Sequence, residues 1–504
     1  FYEQTASVTK TFTTRSNTRS LLIRLSSGEK TNGSYIFRNP TLFKGDTLPD
    51  PDPPSGVQLL RVLSNGRYLM TNDDGKPFFW MSDTAWTLAQ EVSQSDVDIY
   101  LQNRKDKGFT VIMMNALPFG RFVPNEFGEH PLTNTSNVTA FNEVYWRRID
   151  YIINRAESMG MYVYLLPAWG SEGINGGNQN GALLSPSTVG LATAENNAYN
   201  YGVKLGQRYA VKKNIIWALG GDTEPTRNVD ARNVYRSLAS GLDAGDGNSD
   251  FLTTYHHAYG SSSNWFHSEG WLDFNNIQSS HMIDTPNYNL ISQDYAKSPV
   301  KPTIDIEPRY EDIPSHFWEN NGTGPRIRDF DVRQAVYWQL FAGAMGVSYG
   351  HNSVWQFWDG EGRDATMPDI YWKPALDRPG AYSMSHLKSL ITNSARDFSK
   401  MAPDQSFITS ANPNNPSYKA ASVASDRRFA YVYMPYGGNV TVNLSKLLGT
   451  NARAQWFNTR TGQYTSIGDV VISGTRSFSV PANGSYGAGQ TARGNDFVLV
   501  VEVI

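Results

Sequence analysis

Eight short apolar runs, each followed by a longer mixed segment, set the tightest limit on what this chain can become. The runs are Pro77 to Met81, Thr110 to Asn115, Met161 to Leu166, Ile215 to Leu219, Leu252 to His256, Phe274 to Ser279, Thr303 to Ile306 and Gly346 to Tyr349. Such short apolar runs read as strands buried on both faces, and several of the segments between them carry helix signals. Ser95 is placed to cap a stretch with Asp96 and Asp98 in its first turn that closes at Gly108; Glu143 to Ser158 ends before Gly160; Arg328 to Met345 runs as an amphipathic helix into the eighth run. Eight strand-then-helix units predict a (β/α)8 TIM barrel, an α/β fold in which catalytic groups sit where strands end and loops begin. The competing arrangement is a doubly wound open sheet, but no Gly-rich phosphate loop follows any of the runs.

The barrel does not account for both ends of a 504-residue chain. Residues 1–57 are polar and end in the Pro-rich stretch from Leu48 to Pro54, which reads as an N-terminal extension with a stiff linker. The barrel is expected over 58–400. Over 401–504 the helical pattern gives way to alternation in Arg428 to Met434, Val440 to Leu444, Ala454 to Phe457, Ser477 to Val480 and Phe497 to Val501. Turn residues at Gly437-Gly438, Thr461-Gly462 and Asn483-Gly484 separate these runs, and a C-terminal antiparallel β-sandwich is predicted.

Composition removes several chemistries. Cysteine is absent, so disulfides, thiolate nucleophiles and Cys-ligated zinc are excluded. A net charge of -3 supplies no basic field, so no nucleic-acid partner is expected. No apolar run is long enough to span a bilayer, so no membrane partner is expected either. Sequons at Asn32, Asn134, Asn137, Asn321, Asn439, Asn443 and Asn483 fit a secreted, extracellular protein, expected to be a monomer.

Two carboxylates stand out. The fourth run, Ile215 to Leu219, continues as Gly220-Gly221-Asp222, and the seventh ends in Ile306-Glu307-Pro308. They are 85 positions apart, close to three barrel repeats of about 30 residues each, so strands four and seven face each other across the mouth. Glycoside cleavage needs such a pair: one carboxyl to protonate the leaving oxygen and one carboxylate to attack the anomeric carbon, about 5 to 5.5 Å apart if configuration is retained. Glu224 competes with Asp222 for the acid role, and Asp305 competes with Glu307. Glu311 and Asp312 are expected to pair with Arg309 or to shape their loop.

Other polar and aromatic groups follow strand ends. Asp83, Trp86, Asn115, His256, His281, Tyr310 and Trp355 are the candidate substrate-binding residues, the aromatics stacking on sugar faces and the polar groups reading hydroxyls. His256, His257 and His281 could hold a metal with Asp222, but no His-x-x-x-His spacing occurs, so neither metal nor cofactor is expected. A Gly-x-Ser-x-Gly elbow is also lacking, which argues against an esterase.

These stretches resemble the apiosidase-like glycoside hydrolases, barrels followed by a domain that carries a collagen-binding label. The resemblance rests on Ser82-Asp83-Thr84-Ala85-Trp86, Ala218-Leu219-Gly220-Gly221-Asp222, Thr254-Tyr255-His256 and Gln278-Ser279-Ser280-His281. It continues in Glu307-Pro308-Arg309-Tyr310-Glu311-Asp312, the stretch from Tyr349 to Gln356 and, in the last domain, the stretch from Trp456 to Gly462. It implies Asp222 as acid/base and Glu307 as nucleophile. It also marks a departure from the wider group of retaining barrels, where a Glu preceded by Asn usually ends strand four; here the shorter Asp222 follows Gly221.

The expected function is a retaining glycoside hydrolase acting on a plant or microbial polysaccharide. Exo action is expected from long loops after strands one and three, and the resemblance suggests a furanose or branched sugar, apiose being the characterised case. Glu307 should be ionised, held by Arg309 or hydroxyl donors, while Asp222 needs a raised pKa. The alternative is a non-catalytic carbohydrate- or collagen-binding protein, in which paired acids at facing strand ends have no purpose.

Overall fold

A computed structural model describes residues 57–247, 250–360, 366–481 and 494–504. The expected extension and linker lie outside the described residues except at Val57. Eight strands build the barrel: β1 (Trp80–Thr84), β2 (Val111–Asn115), β3 (Tyr162–Leu166), β4 (Ile215–Gly220), β5 (Thr253–His256), β6 (Asn275–Gln278), β7 (Thr303–Asp305) and β8 (Gly346–Tyr349). Six of them form one parallel sheet in the order β8-β1-β2-β3-β4-β5, and β6 pairs in parallel with β7. Sparser bonds close the two seams: the Asp273 N–H donates to Thr253 O at 2.9 Å and the Met345 N–H to Thr303 O at 2.9 Å.

The first run is displaced from its expected position. Pro77–Phe78 pairs antiparallel with Leu69–Thr71 in a separate three-stranded sheet, and the barrel strand begins only at Trp80. Proline has no N–H for a ladder and suits an edge. Helices α1 (Gln94–Asp106), α2 (Glu143–Ser158), α3 (Leu191–Tyr209), α4 (Arg232–Asp246), α5 (Asn287–Tyr295), α6 (Asp329–Phe341) and α7 (Pro379–Ile391) follow every strand except β5, which is followed by the single turn Ser263–Phe266. Ser93 rather than Ser95 caps α1, its hydroxyl accepting from the Asp96 N–H at 3.2 Å. Among the described residues no helix is long and apolar enough to cross a membrane.

Downstream, β9 (Met401–Pro403), β10 (Ala420–Ala424), β11 (Phe429–Met434), β12 (Asn439–Asn443), β13 (Asn451–Asn458), β14 (Tyr464–Val471), β15 (Thr475–Ser479) and β16 (Phe497–Val503) form the antiparallel sandwich. One sheet runs β9-β10-β11-β16-β13-β14 and the other is the pair β12-β15. Period-2 alternation sends Ala430, Val432, Met434, Leu499 and Val501 into the sandwich core, joined there by Trp456. Tyr431, Tyr433, Phe457, Val498 and Val500 go to the opposite face, where they join the barrel's cluster.

That second face explains why α6 departs from the expected amphipathic pattern. All residues from Phe330 to Phe341 are buried, because the six-stranded sheet covers the side that a barrel helix ordinarily leaves to water. Tyr337 stacks on Tyr433 (4.8 Å, 14°) and Phe341 on Tyr431 (5.5 Å, 5°). Beside them Arg333 meets Asp496 through Nε to Oδ2 at 2.8 Å and Nη2 to Oδ1 at 3.1 Å.

Candidate active site

The end of β4 is built to turn. Gly220, Gly221 and Asp222 have φ of 84°, 120° and 46° in succession, values that L side chains rarely adopt and that glycine tolerates. A Cβ on Gly220 would stand 2.4 Å from His256 O, and one on Gly221 would stand 2.7 Å from the Trp169 indole. The two glycines therefore let the chain fold tightly over the strand end, with the Gly221 N–H donating to His256 O at 2.8 Å. Asp222 bears the strain of a left-handed non-glycine residue, and such strain clusters at functional sites. The turn carries its carboxylate toward β6, where Gln278 Nε2 donates to Oδ1 at 2.7 Å.

Glu307 lies just beyond β7, and its side chain is 5% exposed against 44% for that of Asp222. His256 Nε2 stands 3.1 Å from Glu307 Oε2 and 3.8 Å from Asp222 Oδ1, and His281 Nε2 stands 3.3 Å from Glu307 Oε1. One oxygen of Asp222, one nitrogen of His256 and one oxygen of Glu307 lie within 4.8 Å of one another. The sequence pattern predicts no metal, yet these three side chains could hold one. His257 points elsewhere, its Nδ1 2.6 Å from Ala258 O.

Burial pushes the Glu307 carboxyl up to about 8, with the Tyr310 hydroxyl and the Gln278 amide opposing the rise. Asp222 is also raised, by burial first and then by the negative charge of Glu307; its open face admits water and moderates the rise. The expected contrast, a raised Asp222 beside an ordinary Glu307, is thus replaced by two raised carboxyls. Repulsion between them favours one retained proton on the pair. Burial lowers His256 to about 3 and His281 to about 4, leaving both rings neutral at pH 7.

Trp86 and Tyr310 join this centre. Trp86 packs edge-on against Trp169 (5.1 Å) and the His256 ring (5.4 Å). Tyr310 lies 4.2 Å from the His281 ring, centroid to centroid, with its hydroxyl buried beside Glu307. Asn115 closes β2 with its side-chain oxygen buried and unpartnered, and Trp355 is half-buried against the barrel's inner cluster.

Asp83 does not join it. Its carboxylate accepts from Tyr100 (2.6 Å) and Arg104 (2.7 Å) on α1 and has no exposed surface, because β1 starts at Trp80 and turns residue 83 away from the mouth. The Arg309 guanidinium also leaves, donating to Met282 O, Thr285 O, Asp331 O and Gln334 Oε1 rather than to Glu307, Glu311 or Asp312. Glu311 instead accepts from the Tyr349 hydroxyl and the Gly380 N–H, and Asp312 from Arg328 and Arg378. Asp305 is bound by Ser279 and Asn287, and Glu224 is exposed. Gln278, which orients Asp222, and Trp169, which walls the turn, escaped the candidate set although both directly follow or close predicted strands. The long connection follows β2, over 116–142, rather than β1, over 85–93.

The family model for the apiosidase-like catalytic domain matches residues 63–397. This chain belongs to the apiosidase-like glycoside hydrolases. Residues 402–502 of this hydrolase match the family described as "Putative collagen-binding domain of a collagenase". A solved structure described as "Glycoside hydrolase" is 30% identical, with 90% of this chain and 98% of that one covered and a TM-score of 0.78. A glycoside hydrolase family 5 protein from Bacteroides vulgatus ATCC 8482 is 31% identical, covering 88% and 93% with a TM-score of 0.77. No curated protein matches the apiosidase-like chain in sequence.

Proposed function

We propose that this apiosidase-like hydrolase cleaves by retention, acting from the chain end on a furanose or branched sugar such as apiose in a plant or microbial polysaccharide. The carrying observation is the approach of Asp222 and Glu307, with one oxygen of each within 4.8 Å. That favours direct attack over the wider gap of about 6.5 to 9.5 Å in which an inverting enzyme places water. Glu307, deeper and next to the Tyr310 hydroxyl, attacks the anomeric carbon while Asp222 gives its proton to the departing oxygen. The glycosyl–Glu307 ester is then opened by water, whose proton passes to Asp222. Asp222 suits the outer role because its exposed side faces arriving leaving groups and water, and the negative charge on Glu307 helps it keep its proton.

The family match and the long connection over 116–142 support a narrow, end-recognising mouth. The test is a panel of pectic, arabinan, galactan and aryl furanoside substrates with Glu307→Gln alongside, followed by NMR of the first anomer released. Release of the starting anomer, lost in the variant, is expected. An inverted product would overturn retention, and silence across the panel would favour the non-catalytic binding alternative.

A further inference from the structure

The chemistry around Glu307 is unbalanced in a specific way. His281 Nδ1 lies 3.1 Å from Pro308 O; a carbonyl only accepts, so Nδ1 carries the hydrogen and the neutral ring presents a bare Nε2 lone pair. That nitrogen faces Glu307 Oε1 at 3.3 Å. On the other side, both ring nitrogens of His256 are buried without a hydrogen-bond partner, as is Glu307 Oε2, and the 3.1 Å approach between Nε2 and Oε2 lacks hydrogen-bond geometry. Asp222 beyond β4, His256 on β5 and Glu307 beyond β7 thus bring one ligand atom each within 4.8 Å of the others.

Two carboxylates and an imidazole held this close attract a cation that can displace the shared proton, and the ligand types indicate which. An imidazole with two carboxylate oxygens suits zinc and its borderline neighbours better than calcium or magnesium, which prefer oxygen alone. Tetrahedral zinc with bonds of about 2.0 to 2.2 Å holds its ligand atoms about 3.4 Å apart. Here His256 Nε2 lies 3.1 Å from Glu307 Oε2 and 3.8 Å from Asp222 Oδ1, and the three ligand atoms lie within 4.8 Å of one another. His281, fixed by the Pro308 carbonyl, stands behind this set against the other oxygen of Glu307.

We infer that Asp222, His256 and Glu307 form a site for one zinc-class ion, and that the ion competes with the sugar. The competition rests on the glycosidase reading above; the binding does not. Binding is read without turnover, by equilibrium dialysis of the full chain with Zn2+ and by the visible spectrum of Co2+ in the same site. One ion per chain and a tetrahedral Co2+ band, with water completing the shell, are expected, with affinity weakened tenfold or more in His256→Ala. Glu307→Gln, which keeps the side chain's shape, checks the result should the histidine variant misfold, and should also weaken binding. His316→Ala serves as control, since half-buried His316 meets Asp284 (3.0 Å) and Glu319 (3.2 Å) in a separate cluster; it should bind as wild type does. Absence of binding at millimolar Zn2+, or binding lost only in His316→Ala, would overturn the site. On whichever glycoside is cleaved, Zn2+ should raise apparent KM and leave kcat unchanged; turnover indifferent to a bound ion would overturn the competition. A chain that binds zinc but cleaves nothing would fail the hydrolase reading while the metal site stands.

Discussion

Replacing Arg333 by Met tests how the sandwich is attached to the barrel. The Arg333 side chain is 2% exposed and that of Asp496 has no exposed surface. Methionine keeps much of the bulk but leaves the Asp496 carboxylate with only the Thr459 hydroxyl at 2.6 Å and the Tyr433 hydroxyl at 3.4 Å. Removing one partner of a buried pair costs about 3 to 5 kcal/mol. If barrel and sandwich unfold together over about 450 residues, the unfolding entropy is about 0.9 kcal/mol per degree, so Tm falls by about 3 to 5 °C in one transition. If the sandwich of about 100 residues unfolded alone, the same loss would move its own transition by about 12 °C or more and split the thermogram. Stacking across α6 predicts the first outcome. Calorimetry reads it, and Arg333→Met with Asp496→Leu should recover most of the loss because an apolar pair leaves no buried charge. A single variant melting within about 1 °C of wild type would refute the reasoning.

Gly221→Ala places a methyl 2.7 Å from the Trp169 indole at φ 120°, for a cost of about 2 to 6 kcal/mol of strain and overpacking; kcat should fall about 100-fold as Asp222 is displaced, and a variant within threefold of wild type would dismiss the turn as a positioning device. Glu307→Gln should stabilise the protein at pH 8 and not at pH 4. Burial raises this carboxyl from 4.5 to about 8, so the folded state holds the proton more tightly and wild-type stability falls as pH rises through that interval; a gap in Tm that is constant with pH would contradict this. Tyr310→Phe removes a hydroxyl that favours ionised Glu307, so the acid limb of kcat/KM should move up by about one pH unit, which a pH–rate profile of the variant checks.

The strands were legible because a barrel strand buried on both faces is apolar throughout, and seven of the eight runs overlap their strands closely. The eighth shows the limit of that signal. Pro77 to Met81 continues an apolar run across a break that only the missing proline donor reveals, and the strand itself goes on through the polar Ser82, Asp83 and Thr84. Asp83, read as following the strand end, therefore lies inside the strand, where it faces α1 and holds Arg104. The convergence of Asp222, Glu307, His256 and His281 could be read from strand ends, since His256 closes its strand and the other three follow theirs within two or three residues. Arg309 could not be placed in that way, because past β7 the backbone bends and alternation no longer sets direction. The tertiary burial of α6 was hidden for a different reason: its second face is covered by residues 70 to 170 positions away.

A helix claimed by two domains also makes this chain hard to divide. Cut near residue 400, the barrel would present Tyr337, Phe341 and Trp338 to water as a sticky stripe, an invitation to self-association. The sandwich is therefore a wall of the catalytic body rather than cargo carried beside it. Lineages that exchanged it for another module would have had to resurface α6 in the same step, and engineers who graft a new module here inherit that obligation.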